Sequence, residues 1–422
     1  MRALLHLVLP VYLPMVLFAT AIFAILPGLP SYLTTIGASV GIVGVILALR
    51  GGGTLLIDLP GGLLLGRVGS RRIMTLAASV LVGVGVILAV APVLAVAALC
   101  ILLIGGMSAL FVLGLQGHVR ATMEPGLRGR ALSSVGGSMR IGALVGPAIG
   151  GAVTEAFSMS ATFVLFALFI GASLTLVSLF LPGIDRGRGA PARGHRRADA
   201  GGESGAAAPR APVGPRADAR FATIRRLITH PVPGMYAVGG ALIALMLLRA
   251  SRSVILPLWG ESIGLSVSRI GFVMSGAALF DLLLFVPAGF IMDSAGRKVA
   301  GALCLGIFTI GLAVIPFTHS LAGFVIAAAI IGTGNGFGAG INLTMGADLA
   351  PDDQTGPFLG LWRLFGDVGA TAGPSLVGLV AAAASLPVAV GAVAAVGIAG
   401  TAVMVFVAPE TSRIAESRTG VR

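Results

Sequence analysis

Residues 140–151 read Arg140-Ile-Gly142-Ala-Leu-Val-Gly146-Pro147-Ala-Ile-Gly150-Gly151, and residues 367–374 read Asp367-Val-Gly369-Ala-Thr-Ala-Gly373-Pro374. The second stretch lies 227 residues after the first, and two glycines and the proline return in register while an arginine becomes an aspartate. Glycine and proline at this density suit a membrane helix, where a close neighbouring helix restores the lost packing and backbone contacts. A guanidinium or carboxylate in such a helix is costly without a partner or water. The repeat decides the fold, and the charge exchange points to function.

The same shift aligns Pro30 with Pro257, Gly37 with Gly264, Gly44 with Gly271, Pro60 with Pro287, and Gly105 with Gly332. One ungapped offset over about 117 positions means duplication. The surroundings are apolar enough for a bilayer to be the solvent. The chain has 422 residues, 56% hydrophobic and 10% charged, with a mean hydropathy of +1.02. Residues 3–49, 73–119, 156–184, 299–347 and 368–409 contain no Asp, Glu, Lys or Arg. At ~20 residues per span, the expectation is an all-α polytopic membrane protein. Twelve spans are predicted, at 7–29, 40–65, 73–90, 93–115, 131–157, 161–181, 232–258, 268–292, 299–317, 321–345, 357–381 and 386–408. They make two pseudo-symmetric six-helix bundles, 1–181 and 231–408. The first span exceeds a cleavable signal and is read as retained.

Between the bundles, residues 182–230 hold ten arginines and four acids among Ala, Gly and Pro. This composition predicts a disordered cytoplasmic linker, and residues 409–422 form a tail. The net charge of +12 does not signal nucleic acid, because 22 of the 28 cations gather in loops and tails on one side. That bias puts both termini in the cytoplasm of a multi-pass plasma-membrane protein. Cys100 and Cys304 fall inside spans and indicate no disulfide framework. The five histidines show no metal spacing, and neither a P-loop nor a nucleophile–base pattern occurs. An enzyme is not indicated, no metal or other cofactor is expected, and the partners are lipid, a small-molecule substrate and protons.

Two motifs carry a family resemblance. Gly289-Phe-Ile-Met-Asp293-Ser-Ala-Gly296-Arg297-Lys298 resembles the cytoplasmic loop signature of the major facilitator superfamily, and Gly62-Leu-Leu-Leu-Gly66-Arg67-Val-Gly69-Ser-Arg71-Arg72 is its first copy with Gly66 in the aspartate's place. The resemblance implies the twelve-helix, two-bundle fold with parallel halves, alternating access, and a monomer. It also implies that Asp293 braces one state against the other half. Gly142, Gly146, Pro147, Gly150 and Gly151 resemble the fifth-span motif of drug/proton antiporters, although that group's usual fourth-span arginine is missing. The expected function is therefore a proton-driven exporter of small organic or drug-like molecules. The alternative is an importer of a sugar or organic anion, and a non-transport membrane protein is a third reading.

Eight charged residues fall within spans: Arg50, Asp58, Arg140, Arg249, Arg252, Asp281, Arg363 and Asp367. If the family fold holds, span 2 faces span 11 and span 5 faces span 8. At ~1.5 Å per residue, Arg140 and Asp281 lie roughly 15 and 18 Å from the loop side, and Asp58 and Arg363 roughly 12 and 9 Å. Two inter-half pairs are expected, Arg140–Asp281 and Asp58–Arg363, with Asp367 reaching Arg50 or Arg363. A proton on Asp281 or Asp367 would release its arginine; a static pair holding the halves together is the plainer role. Arg249 and Arg252 share one face of span 7. They either contact an anionic or carbonyl group in a substrate cavity or snorkel to the membrane surface, the simpler of the two. Asn335 is the stronger cavity candidate of the pair Asn335 and Asn342. Asp348, Asp352 and Asp353 form an acidic loop facing the arginine-rich ones.

Overall fold

The computed structural model describes residues 7–181, 225–351 and 354–414. The expected linker (182–230) lies outside these up to residue 224, as do the tail beyond residue 414 and Asp352 and Asp353. In the first half, α1 (Leu13–Ala24) and α2 (Leu29–Thr35) form one bent span. It is followed by α3 (Val40–Val68), α4 (Ser70–Val90), α5 (Leu94–Thr122), α6 (Pro125–Ala156) and α7 (Met159–Phe180). The second half has α8 (Met235–Ser262), the bent pair α9 (Val267–Leu283) and α10 (Phe285–Ser294), and α11 (Arg297–Val314). It continues with α12 (Leu321–Phe337), α13 (Ile341–Leu349), α14 (Thr355–Ala383) and α15 (Leu386–Ala402).

The duplication holds to the residue at many boundaries. Helices end at Thr35 and Ser262, begin at Val40 and Val267, and end at Ala156 and Ala383, each pair 227 apart. The caps are duplicated too. Ser39 and Ser266, and Ser158 and Ser385, each accept a hydrogen bond from the amide three residues on, which satisfies one orphan donor of the helix start. Gly69 (φ +88°) and Gly296 (φ +98°) make the same tight turn in the two loop motifs, a backbone conformation that an L side chain resists.

Among the described residues, nine helices are long and apolar enough to cross a membrane, and the two bent pairs (43° and 40°) raise this to eleven. The remaining span is α6, whose 32 residues carry Arg128, Arg130 and Arg140. It starts earlier than predicted because Pro125 sits in its first turn, where a missing amide costs nothing. Two spans predicted as unbroken are interrupted. The second half breaks at Leu284, between α9 and α10, and between α12 and α13, where Gly334, Gly336, Gly338 and Gly340 follow one another at alternate positions. Glycine at that density loses helix stability at about 1 kcal/mol each.

Each half has its own core. Phe18, Leu33, Met74, Phe111, Phe163 and Phe166 anchor the first, and Leu248, Phe308, Phe324, Phe358, Val377 and Val393 the second. The halves meet along two seams, α6 against α9 and α3 against α14, which the 227-residue shift exchanges. At one end these seams are zipped backbone to backbone. A Cβ on Gly44 would lie 2.2 Å from the Gly378 Cα, and one on Gly271 would lie 2.2 Å from the Pro147 carbonyl oxygen. Across the same end Ser31 donates to Glu261 at 3.0 Å, and the Ser268 amide donates to Glu155 at 3.0 Å. Toward the end bearing the loop motifs, a Cβ on Gly62, Gly136, Gly137, Gly289 or Gly360 would meet nothing within 4 Å. The halves are sealed at one end and part toward the other.

Candidate functional site

A cavity of about 520 Å³ lies between the halves, within the size range of small-molecule sites. Its wall includes Arg50 and Thr54 of α3, Arg140 of α6, Arg249, Arg252 and Ser253 of α8, Asp281 of α9 and Asn335 of α12. Phe23 is the one aromatic residue among its lining, and the apolar remainder includes Leu26, Leu47, Met246 and Met274.

Two of these positions stand next to the breaks in the second half. Asp281 stands in the last turn of α9 and Asn335 in the last turns of α12. Arg140 ion-pairs with the Asp281 carboxylate across the seam, and its guanidinium carbon sits 4.9 Å from the Phe285 ring centre, a cation–π contact. The other Asp281 oxygen accepts from Asn335 Nδ2 at 2.6 Å, and Arg249 Nε donates to Asn335 Oδ1 at 2.7 Å. Arg249 Nη2 also donates to the Gly338 carbonyl at 3.0 Å. That carbonyl lies in the buried break after α12, and irregular backbone at membrane depth is tolerated where it is buried in protein. The result is one chain of charge-assisted bonds, Arg140–Asp281–Asn335–Arg249, crossing from one half deep into the other.

The second predicted pair also meets. Arg363 Nη2 donates to Asp58 Oδ1 at 2.8 Å and its Nε lies 2.7 Å from Oδ2, while Asp367 Oδ2 is 4.0 Å from the same Nε. Of the two partners offered to Asp367, the structure brings it near Arg363. Arg50 has no carboxylate within 4 Å among the described residues, so the expected Arg50 pair does not form; Arg50 faces the cavity instead. Arg249 and Arg252 likewise line the cavity rather than snorkelling to the surface. Asn342 is taken by Trp362, whose Nε1 donates to its Oδ1 at 2.8 Å.

The loop motifs lie away from the cavity. Arg297 reaches Asp348 at 3.3 Å and Asp293 at 3.7 Å, and Glu410 accepts from the amides of Arg297 and Lys298 at 2.9 and 3.0 Å. Asp293 is otherwise exposed and, among the described residues, pairs with nothing in the other half, in keeping with the parted loop end. In the first copy Arg71 caps the Ser178 carbonyl of α7.

The fifth-span motif divides between two faces of α6. Gly142, Gly146 and Gly150 face α1 of their own half, where a Cβ would strike Ala19, Thr20 and Ala24 at 2.4, 2.7 and 1.8 Å. Only the opposite face crosses the seam, through Arg140, the Pro147 carbonyl and Gly151, together with the Ala148 amide, which donates to Ser275 at 3.0 Å. The spacing alone separates these two faces but does not say which neighbour each one meets. The hydroxyl and amide links of Ser275, Ser268 and Glu155 were missed because single Ser and Glu residues near span ends carry no distinctive pattern.

Comparison with known proteins agrees with this architecture. The fold is similar to that of a D-xylose-proton symporter (TM-score 0.73, 16% identity, 97% of this chain and 98% of that one). It is also similar to a POT family transporter in complex with a thioalcohol-conjugated peptide (TM-score 0.71, 14% identity, 100% and 97%). A stretch of 99 residues is 28% identical to High-affinity glucose transporter 1 of Candida albicans (strain SC5314 / ATCC MYA-2876). A protein described as High-affinity glucose transporter of Candida albicans matches to the same extent. Each match covers 24% of this chain and 18% of the relative's length. Residues 11–249 and again 238–421 match the Major Facilitator Superfamily, one match for each half of the duplicated chain, and the chain belongs to that family.

Proposed function

We propose that this protein is a secondary transporter that works by alternating access and takes up a small polar solute together with protons. The observation that carries the reading is the cavity between the halves, walled by side chains of both and lined by charged and hydroxyl groups with a single aromatic residue. A site for bulky amphipathic drugs relies on apolar and aromatic surface; this cavity has aliphatic surface but one aromatic ring, set among five charged side chains. The export reading rested on the fifth-span glycines, and three of those pack inside their own half. The likeness to sugar transporters by name favours import.

Proton coupling is assigned to Asp58, Asp367 and Arg363. Two carboxyl groups beside one guanidinium leave a net negative charge that one added proton cancels. Protonation there would loosen the α3–α14 seam and let the halves rock. The test is uptake into proteoliposomes of labelled pentoses, hexoses and small organic acids, with and without an inward proton gradient. Accumulation that collapses with the gradient, and is uncoupled in Asp367→Asn, is expected. Movement of hydrophobic cations outward, with no gradient-driven uptake of any polar solute, would refute import.

A further inference from the structure

The cavity wall carries four guanidiniums, Arg50, Arg140, Arg249 and Arg252, against one carboxylate, Asp281. Two of the four are accounted for. Arg140 is neutralised by Asp281, and Arg249 is satisfied by the oxygens of Asn335 and Gly338. The other two are left over. No carboxylate lies within 4 Å of Arg50 or Arg252 among the described residues, and Arg252 Nη1 is sealed from solvent with no hydrogen-bond partner. A guanidinium held this way in a membrane protein loses its hydration without repayment unless something else arrives to supply it. The planar fork of arginine matches the two oxygens of a carboxylate or phosphate.

We infer that the cavity binds a small organic anion whose carboxylate or phosphate group docks between Arg50 and Arg252. This rests on the reading of the cavity as the transport site and names its substrate class. Arg50 projects from α3 in the first half and Arg252 from α8 in the second, so an oxyanion held by both ties the halves together through the ligand. The lining carries a formal charge of +3, four cations less one acid, which also draws anions inward. Thr54 and Ser253 offer hydroxyls beside the two arginines, and Leu47 and Met246 offer apolar surface for the organic body. The duplication did not supply these charges. The positions 227 residues from Arg50 and Arg252 are Ala277 and Ile25, so each arginine is an addition to one half of the scaffold.

The test uses the purified full-length protein in nanodiscs, with thermal unfolding and calorimetric titration as readouts. The probes are acetate, succinate, citrate, inorganic phosphate and glucose 6-phosphate, against glucose and xylose as neutral compounds. At least one oxyanion is expected to raise the unfolding temperature at matched ionic strength while the neutral sugars do not; the acids and phosphates separate the two headgroups. Arg50→Gln and Arg252→Gln should each weaken that binding by about tenfold or more. The exposed Arg269→Gln, outside the cavity, should leave it unchanged. Without ligand, Arg252→Gln should unfold no earlier than wild type, because it removes an unpaired charge rather than a bond. A ligand-free loss of stability in Arg252→Gln, or no shift with any oxyanion, overturns the anion site. Sugar binding that survives both substitutions does the same while leaving the transporter reading intact. If neither class binds and no proteoliposome flux is seen, the transporter reading fails with it.

Discussion

The two seams between the halves are copies of each other, yet they are held by different chemistry. Along α6–α9 a ladder of polar links runs from Arg140–Asp281 through Ala148–Ser275 to Glu155–Ser268, with Gly151 against Gly271 between them. Along α3–α14 the equivalent glycine contact, Gly44 against Gly378, is kept, but the one ion pair that crosses the seam among the described residues is Asp58–Arg363, nearer the parted end. The 227-residue shift shows how this arose. Arg140 faces Asp281 and Phe285, and their images are Asp367, Thr54 and Asp58. At one seam a cation meets an acid and an aromatic ring; at the other an acid meets an acid, and Arg363, whose image is Gly136, serves both. Shared backbone contacts make both seams hinges. The unshared charges give one seam a buried polar network and the other a more exposed ion pair.

The sharpest way to break the comparison is to remove one carboxylate from each seam. The side chains of Arg140 and Asp281 are 19% and 10% exposed, and Asp281 also holds Asn335. Asp281→Ala strands Arg140 and frees the amide, and should cost about 3–5 kcal/mol of stability. Arg363 is 43% exposed, so water screens the charge left by Asp58→Ala, and about 1 kcal/mol or less is expected. Denaturation in detergent reads both. Equal losses would mean that the seams are equivalent and that the Asp281 network is an accident of geometry.

The glycine contacts sharpen the complementary point, that the hinges are alike. Gly44→Ala and Gly271→Ala each place a methyl against backbone, 2.2 Å from Gly378 Cα and from the Pro147 oxygen. Neither neighbour is a flexible side-chain end, so each should cost about 1–3 kcal/mol through overpacking. Both should also unseal the same end of the molecule. Thiol labelling of a cysteine introduced at Ser31, beside the zipped surface, should speed up similarly in the two variants. A rise in only one would show that one seam carries the closure.

How much of this was legible follows from what a repeat can encode. Proline and glycine punctuate helices locally, so an offset read from Pro60 and Pro287 or Gly146 and Gly373 implies two matching bundles, whereas the serine caps and the helix breaks came only with the structure. Charge pairs across the seams were legible because the family resemblance implies which spans face each other, and ions at membrane depth are few and must match in height; together these selected Asp281 for Arg140 and Arg363 for Asp58. Facing was not legible. Gly142 and Gly151 belong to one motif but opposite faces of α6, and Arg249 points inward rather than outward because Asn335 and the freed Gly338 carbonyl offer better partners than the membrane surface. The break after Phe337 does have a local cue, the alternate glycines Gly334, Gly336, Gly338 and Gly340, which an unbroken span over 321–345 overlooks.

The smallest effect contrasts the two loop copies rather than the seams. Both turn at a glycine of positive φ, but only the second copy is shown clamped by an acid, with Glu410 accepting from the amides of Arg297 and Lys298 at the start of α11. Burial alone would raise the Glu410 carboxyl. The amides of Lys298, Arg297 and Ser412 and the Ser412 hydroxyl outweigh it and hold it below its ordinary value. A carboxyl lowered by folding stabilises the folded state above its unfolded pKa, and that contribution fades as the pH falls through the lowered folded value. Docking of residues 408–414 on the loop should therefore hold at neutral pH and weaken in acid, below about pH 4. Amide exchange at Arg297 and Lys298, corrected for the intrinsic pH dependence, should rise there in the wild-type chain. In Glu410→Gln the protection should be low at neutral pH and change little on acidification. The equivalent amides after Gly69, which lack this clamp among the described residues, should show no such step; a matching acid step at Ser70 and Arg71 would mean that the clamp is not what distinguishes the two loops.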